Sequence, residues 1–220
     1  MASLSNSFDC SILGIKLFNG DSIPEYPNLK PINSCNAGCN TIIKNIAITI
    51  VTMVDTEKLQ EKLGEALGLE MAAQKAVEEL GSKGLLDENG MLSKLEKMQL
   101  QAGNHQSKLE EIVHNLANES GEFDPMKIQQ VAHETAQKCS TMMQTYLGPD
   151  PDSSEAIEFL CLAEGGEVTH YEVLVAMSKK LSRKMKNTKR LSTAVDSILR
   201  EEKRHLALCT RLAKQTATSE

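Results

Sequence analysis

The chain of 220 residues carries a formal net charge of −6, which argues against a general nucleic-acid binder. It contains no Trp, only 3 Tyr and 4 Phe, and 10 Met among 40% hydrophobic residues, a composition typical of an all-helical protein. Its 6 Cys are scattered, which argues against a disulfide scaffold and favours the reducing cytoplasm.

The N-terminal stretch, residues 1–52, differs in composition from the rest of the chain. It holds half of the Cys and half of the Pro residues, and it has no His. Its apolar segment, 41–54, is too short to span a bilayer and is interrupted by Lys44, so no membrane association is predicted. We interpret 1–52 as an N-terminal extension that is poorly ordered or outside the functional domain, and 53–220 as the helical domain.

A first helix is predicted to start at Asp55 or Thr56, since either side chain can cap an N-terminus, and to end at Gly81 or Gly84. The inward face of this helix alternates steps of four and three residues: Leu59, Leu63, Ala66, Glu70, Ala73, Val77 and Leu80. A carboxylate, that of Glu70, therefore stands at the centre of an otherwise apolar face.

A second helix is predicted over roughly 90–118, before the break at Ser120 and Gly121. The inward face of this helix has the same spacing: Leu95, Met98, Ala102, His105, Leu109, Ile112 and Leu116. Here the polar group at the midpoint is the imidazole of His105. A single buried His is commonly a hydrogen-bonded core residue, so its meaning depends on the other helices.

A shorter helix is predicted over about 125–147, because Asp124 followed by Pro125 is a typical N-cap and first helical residue. The inward face of this helix contains no acid: Ile128, Ala132, Thr135, Cys139, Met142 and Tyr146. We interpret it as a packing helix or a crossover between core helices. Gly148, Pro149 and Pro151 end it.

The next helix is predicted to start near Asp152 or Ser153. The inward face of this helix carries two carboxylates and a phenol at its centre: Leu160, Glu164, Glu167, Tyr171, Leu174, Ser178 and Leu181. The pair Gly165 and Gly166 lowers helix propensity by about 1 kcal/mol per residue. We expect this pair to permit the close approach of a neighbouring helix or local bending.

The last helix, predicted over 191–212, combines a carboxylate and an imidazole on one face. The inward residues of this helix are Leu191, Val195, Ile198, Glu202, His205, Cys209 and Leu212. The spacing of Glu202 and His205 directs both side chains toward one point. A lone carboxylate is costly to bury, so Glu202 requires a compensating group, and a metal ion is one such group.

The polar residues of the four long helices all lie near the middle of their helix. In an antiparallel bundle, mid-helix positions meet at one level, so we expect these residues to converge in one layer. Two interpretations are open: the layer binds metal ions, or it is a buried network of Glu, His and Tyr that fixes helix register. The predicted fold is all-α, an antiparallel four-helix bundle with a short extra helix between core helices 2 and 3.

In this order of residues, the chain from about 55 to 215 resembles the ferritin-like superfamily. The four core helices of that superfamily supply Glu, Glu-x-x-His, Glu and Glu-x-x-His to two metal ions. The layout is similar to the rubrerythrin and bacterioferritin type, and closest to its small stress-associated bacterial branch. The resemblance implies these metal ligands: Glu70, His105, Glu164, Glu167, Glu202 and His205.

The second helix departs from the family pattern. Ala102 stands where the resemblance requires a Glu, and the adjacent Gln101 is a neutral and poorer ligand. Glu164 and Glu167 lie three residues apart on the inward face of their helix, so one of them can replace the missing acid. If it does, the site holds two unequal ions; if the position stays without an acid, the site holds one.

Carboxylate and imidazole donors suit iron or manganese more than copper or a structural zinc site. The resemblance therefore implies two iron ions, or manganese, that react with O2 or peroxide or oxidise ferrous iron in oxidative stress or metal handling. The implied enzyme class is a ferroxidase- or peroxidase-like oxidoreductase, with Tyr171 as a hydrogen-bond donor beside the ligands. The alternative is a metal-free helical bundle with a structural or protein-interaction role. Either form is compatible with a homo-oligomer.

Overall fold

The computed structural model describes the backbone of residues 37–87, 90–183 and 188–218, and the side chains in these ranges from Thr56 onward. The helices are α1 (Ala37–Ser82), α2 (Met91–Ser120), α3 (Pro125–Leu147), α4 (Ser153–Ser182) and α5 (Lys189–Thr216). Since none of the described residues is in a strand, the prediction of an all-α chain is confirmed. None of the helices in these ranges is long and apolar enough to cross a membrane.

The start of α1 differs from the prediction. The helix begins at Ala37, so the N-cap predicted at Asp55 or Thr56 is wrong. The residues between Cys39 and Val54 include no Gly or Pro, and nothing among them interrupts helical geometry. The chain divides into two compact units, Met1–Ile43 and Lys44–Glu220, and every described side chain belongs to the second. The boundary expected near residue 53 stays a prediction, since residues 1–36 lie outside the described part of the chain.

The predicted starts of α3 and α4 are confirmed, and each has a side-chain cap. The Asp124 carboxylate accepts a hydrogen bond from the backbone N–H of Met126 at 2.9 Å, and Pro125 is the first helical residue. At α4, the Asp152 carboxylate accepts from the backbone N–H of Glu155 at 2.9 Å, and the Glu155 carboxylate accepts from that of Asp152 at 3.2 Å. This capping box satisfies two backbone donors that the helix itself leaves unpaired.

The buried face of α3 follows the prediction only over its first half. Ile128 and Ala132 are fully buried, but Met142 is exposed, and Met143 is buried in its place. Met143 lies about three complete helical turns after Ala132 and therefore on the same face, whereas Met142 is rotated by about 100°. The predicted three-four spacing drifts off this face because it is shorter than the helical repeat.

Helices α1 and α3 approach each other closely at two glycines. A Cβ on Gly64 would lie 2.6 Å from Val131 Cβ, and a Cβ on Gly68 would lie 2.4 Å from the Ala132 carbonyl oxygen. A Cβ on Gly165 or Gly166 would meet nothing within 4 Å. The close helix approach expected at the α4 glycines is therefore wrong, and it occurs on α1 instead.

The apolar core has two parts, with the polar residues between them. One cluster, at the first end, includes Leu63, Leu109, Leu174 and Val195. The other cluster, at the second end, includes Val77, Leu95, Leu160 and Cys209. Each of α1, α2, α4 and α5 contributes residues on one side of its inward Glu or His to the first cluster, and residues on the other side to the second. The inward Glu and His residues consequently occupy a layer enclosed by apolar side chains.

Candidate metal centre

All the residues predicted to bind metal are in this buried layer. Each side chain belongs to a residue that is no more than 5% exposed: Glu70, His105, Glu164, Glu167, Glu202 and His205. The polar residues of α2, α4 and α5 lie near the middle of their helices, whereas Glu70 lies in the last third of α1, because that helix starts at Ala37. The side chains nevertheless meet, although they are far apart in sequence. The convergence that the helical periodicity predicted is present in the structure.

The first group of potential ligands consists of Glu70, His105 and Glu202. The Nδ1 atom of His105 lies 3.3 Å from Glu70 Oε1 and 2.8 Å from Glu202 Oε1. One ligand atom from each residue lies within 4.8 Å of the others, so a single cation can contact all three. These side chains come from three different helices, α1, α2 and α5.

The second group consists of Glu164, Glu202 and His205. The Nδ1 atom of His205 lies 3.2 Å from Glu202 Oε2 and 3.8 Å from Glu164 Oε2. The ligand atoms of this group also lie within 4.8 Å of one another. Glu202 belongs to both groups, with Oε1 toward His105 and Oε2 toward His205. Its carboxylate is therefore placed to bridge two neighbouring cations.

Glu167 is buried beside these groups but belongs to neither of them. Burial raises the pKa of its carboxyl group well above 4.5, and the nearby carboxylate of Glu164 raises it further. The carboxylates of Glu70 and Glu202 raise the pKa of Glu167 as well. Ligation of a metal by Glu167 stays a prediction.

Each imidazole is also held on its outer nitrogen. His105 Nε2 lies 3.2 Å from Glu201 Oε2, and His205 Nε2 lies 3.0 Å from Gln101 Oε1. Helical periodicity did not predict a role for Glu201, because this residue is rotated by about 100° from the inward position of Glu202. Gln101, considered from the sequence only as a poor ligand, contacts the second histidine instead.

The charges of the layer are unevenly distributed. Burial raises the pKa of Glu70 to about 7 and that of Glu164 well above 4.5, since the carboxylates have little access to water. Burial also acts to raise the pKa of Glu202, but the neighbouring imidazoles of His105 and His205 lower it to about 2. Glu202 is consequently the most stable anion of the layer, between the two imidazoles.

The same acids also shift the pKa of the His105 imidazole. Burial opposes its charged form, but Glu202 and Glu70 together raise its pKa to about 10. Without a metal, His105 is therefore expected to be an imidazolium that offsets one of the carboxylates at neutral pH. A bound cation would replace this proton, because the same nitrogen faces the same acids.

Four buried atoms have no hydrogen-bond partner among the described residues. They are Glu70 Oε2, His105 Nδ1, Glu164 Oε2 and Glu202 Oε1. All four residues belong to the two groups of potential ligands. His105 Nδ1 and Glu202 Oε1 are only 2.8 Å apart, but they are not aligned as a hydrogen bond. Buried polar atoms normally have hydrogen-bond partners. Atoms that lie close together without forming hydrogen bonds to one another are therefore what a site for a shared cation requires.

Tyr171 contacts the first group directly. Its hydroxyl donates a hydrogen bond to Glu70 Oε1 at 2.5 Å, and the ring is fully buried. Burial and the Glu70 carboxylate both raise the pKa of this phenol well above 10, so it is a neutral donor at neutral pH. The hydrogen bond orients Glu70 and leaves its Oε2 atom free of hydrogen bonds within the layer.

The chain matches no protein-family model, no curated protein and no solved structure. Over the described residues it is an all-helical protein with a buried cluster of Glu and His side chains. This cluster is compatible with a helical protein that binds two metal ions. The assignment of a metal therefore depends on the geometry of the site.

Proposed function

We propose that α1, α2, α4 and α5 form an antiparallel four-helix bundle of the ferritin-like type, which binds a dinuclear iron or manganese centre. The alternation of the two apolar clusters supports the arrangement. The first cluster contains residues that precede Glu70 on α1 and Glu202 on α5, and residues that follow His105 on α2 and Glu167 on α4. The second cluster contains residues on the other side of these four positions, as expected for helices that run in alternate directions.

The geometry of Glu202 is the observation that supports two ions. Its two carboxylate oxygens face the Nδ1 atoms of two different histidines. Each histidine has a second buried acid beside it, Glu70 for His105 and Glu164 for His205. A purely structural network would be expected to pair its buried atoms, because each unpaired polar atom costs about 1–3 kcal/mol. Here the four unpaired atoms all belong to the potential ligands.

The donor set favours hard cations. Carboxylate oxygens with one imidazole nitrogen for each ion suit iron or manganese. Two such ions supply reactivity toward O2, peroxide or ferrous iron, which corresponds to a ferroxidase- or peroxidase-like role in oxidative stress or metal handling. The protein contributes a water-poor layer between its two apolar clusters, and Tyr171 orients one ligand.

Elemental analysis tests this proposal. Protein purified from cells supplied with iron or manganese is expected to retain up to two ions per chain, one for each group of ligands. The double variant Glu70→Gln/Glu202→Gln is expected to lose them. A matched control, Glu78→Gln/Glu172→Gln, removes two exposed acids and is expected to keep the metal. The proposal is overturned if the wild-type chain, under replete conditions, contains no more metal than the Glu70/Glu202 double variant.

A metal-free bundle is the second candidate, favoured by the hydrogen bonds that the layer already contains. Tyr171 donates to Glu70, and His205 pairs with Glu202 at 3.2 Å. In this case the network fixes helix register and the protein acts through partners. Thermal unfolding separates the candidates: added Mn²⁺ raises the Tm of a metal-binding protein. It leaves that of a metal-free bundle unchanged.

A further inference from the structure

Two polar side chains link the outer nitrogens of the two histidines. Glu201 Oε2 lies 3.2 Å from His105 Nε2, and Gln101 Oε1 lies 3.0 Å from His205 Nε2. The Gln101 side-chain amide also donates to Glu201 Oε2 at 3.5 Å. The four side chains form one continuous chain of contacts. It runs along the Nε2 side of the imidazoles, opposite the buried acids Glu70, Glu164 and Glu202.

The chemistry of these partners determines where the imidazole protons lie. An ionised carboxylate only accepts hydrogen bonds, so the Gln101 amide nitrogen must face Glu201 and the amide oxygen must face His205. That oxygen is also only an acceptor, so His205 Nε2 carries a proton. The Glu201 carboxylate is likewise only an acceptor, so His105 Nε2 also carries a proton. In a neutral imidazole, Nδ1 is then the nitrogen with the free lone pair.

We propose that Glu201 and Gln101 are positioning residues that hold both imidazoles with Nδ1 toward the metal ions. The inference rests on the proposed metal function. In both rings, Nδ1 is the atom that faces the buried acids, and Nε2 is the atom that contacts Glu201 or Gln101. Outer partners of this kind fix the tautomer and orientation of a ligand His, and their loss typically weakens metal binding by about 10- to 100-fold.

The location of Glu201 separates it from the ligands themselves. Its side chain is 29% exposed, whereas those of Glu70 and Glu202 are each 1% exposed. Its other oxygen lies 3.9 Å from Arg204, a weak contact on the same helix. Glu201 therefore stands between solvent and the buried ring of His105, where substitution is expected to disturb the core little.

Chain loaded with Co²⁺ as the probe gives a direct readout. When Nδ1 binds Co²⁺, the remaining N–H proton of each imidazole gives a strongly shifted NMR signal that disappears in D₂O. The wild type is expected to show two such signals. Glu201→Ala is expected to broaden or remove one signal and to weaken one ion by about 10- to 100-fold. Gln101→Ala is expected to affect the other signal and the other ion.

Two further variants make the test specific. Glu201→Gln keeps an oxygen acceptor and is expected to restore the shifted signal that Glu201→Ala loses. Glu172→Ala is the matched control, because Glu172 is an exposed acid. Its carboxylate forms a surface ion pair with Lys203 of α5, at a distance of 2.8 Å. This control is expected to keep both signals and both affinities. Circular dichroism confirms that each variant is folded.

The outcomes distinguish this inference from the function on which it rests. If the wild type binds Co²⁺ and both alanine variants keep its signals and affinities, Glu201 and Gln101 are not positioning residues, while the metal site stands. If Glu201→Gln fails to restore what Glu201→Ala loses, the effect is not that of a hydrogen-bond acceptor, and the inference is wrong. If the wild type binds neither Co²⁺, Mn²⁺ nor Fe²⁺, the proposed function fails and the inference fails with it.

Discussion

At the scale of single residues, the two groups of potential ligands share one carboxylate and differ in their other members. Glu202 contributes one oxygen to each group, whereas Glu70 occurs only in the first and Glu164 only in the second. The three acids are all buried and are similar in type, so a difference among their variants reports on position within the site. This makes them a matched set.

We expect Glu202→Gln to abolish or strongly weaken binding of both ions, since it removes the shared carboxylate. Glu70→Gln and Glu164→Gln are each expected to weaken one ion and leave the other. Titration with Mn²⁺, followed by calorimetry or by elemental analysis after dialysis, gives the stoichiometry. Equal losses in all three variants would contradict the bridging role proposed for Glu202.

At the scale of helices, small residues decide how closely two elements approach. Gly64 and Gly68 lie four residues apart on α1 and face α3, where a Cβ would contact backbone oxygens of Ile128 and Ala132 at 2.7 and 2.4 Å. Those oxygens belong to helical backbone, which cannot move independently of α3. A Cβ on Gly165 of α4 would meet nothing within 4 Å, so this glycine serves as the control position.

Gly68→Ala is expected to lower the free energy of unfolding by about 1–3 kcal/mol, because the added methyl group overpacks the α1–α3 contact. Gly165→Ala is expected to raise it by about 0.5–1 kcal/mol, since Ala restricts the unfolded chain and favours the helix. Urea unfolding measures both values. The packing described for α1 and α3 is wrong if the two substitutions change stability in the same direction.

At the scale of the whole molecule, the buried charges couple stability to pH. The pKa of Glu70 is raised by burial from 4.5 to about 7, so its contribution to stability is complete below pH 4.5 and is lost as pH rises through 7. The raised pKa values of Glu164 and Glu167 act in the same direction. The pKa of Glu202, lowered to about 2, gives a contribution that is present above pH 4.5 and is lost only as pH falls through 2.

We therefore expect the metal-free protein to be more stable near pH 5 than near pH 8. The pKa shift of Glu70 alone corresponds to a loss on the order of 3 kcal/mol across this interval. His105, with its pKa raised to about 10, keeps its contribution below pH 6.5 and loses it as pH rises through 10. Denaturant midpoints measured at several pH values in the presence of a chelator test this.

Bound metal should reverse that dependence, because ligands bind cations in their deprotonated form. Repeating the measurement with Mn²⁺ is expected to raise stability more at pH 8 than at pH 5. A metal-free protein whose stability rises steadily from pH 5 to pH 8 would contradict the charge distribution described for the layer. The Glu167→Gln variant, which cannot ionise there, is expected to show a shallower pH dependence without metal.

Local sequence determined most of the helical organisation. The starts of α3 and α4 follow from Asp124 and Asp152, since a cap acts on backbone groups within its own first turn. The buried polar residues were also predictable, because helical periodicity alone assigns Glu70 and Glu202 to inward faces. Both kinds of inference depend on neighbours within a few residues of the chain.

Only the tertiary structure decided how those inward residues are combined. It divides the acids between two groups around Glu202, and it pairs Glu201 with the histidine of another helix. It also locates the close helix contact at Gly68 and extends α1 upstream to Ala37. Periodicity assigns a residue to a face, but it does not determine which partner that face meets. The partner depends on the rotation and axial shift of helices that are far apart in sequence, and packing of whole side chains fixes these.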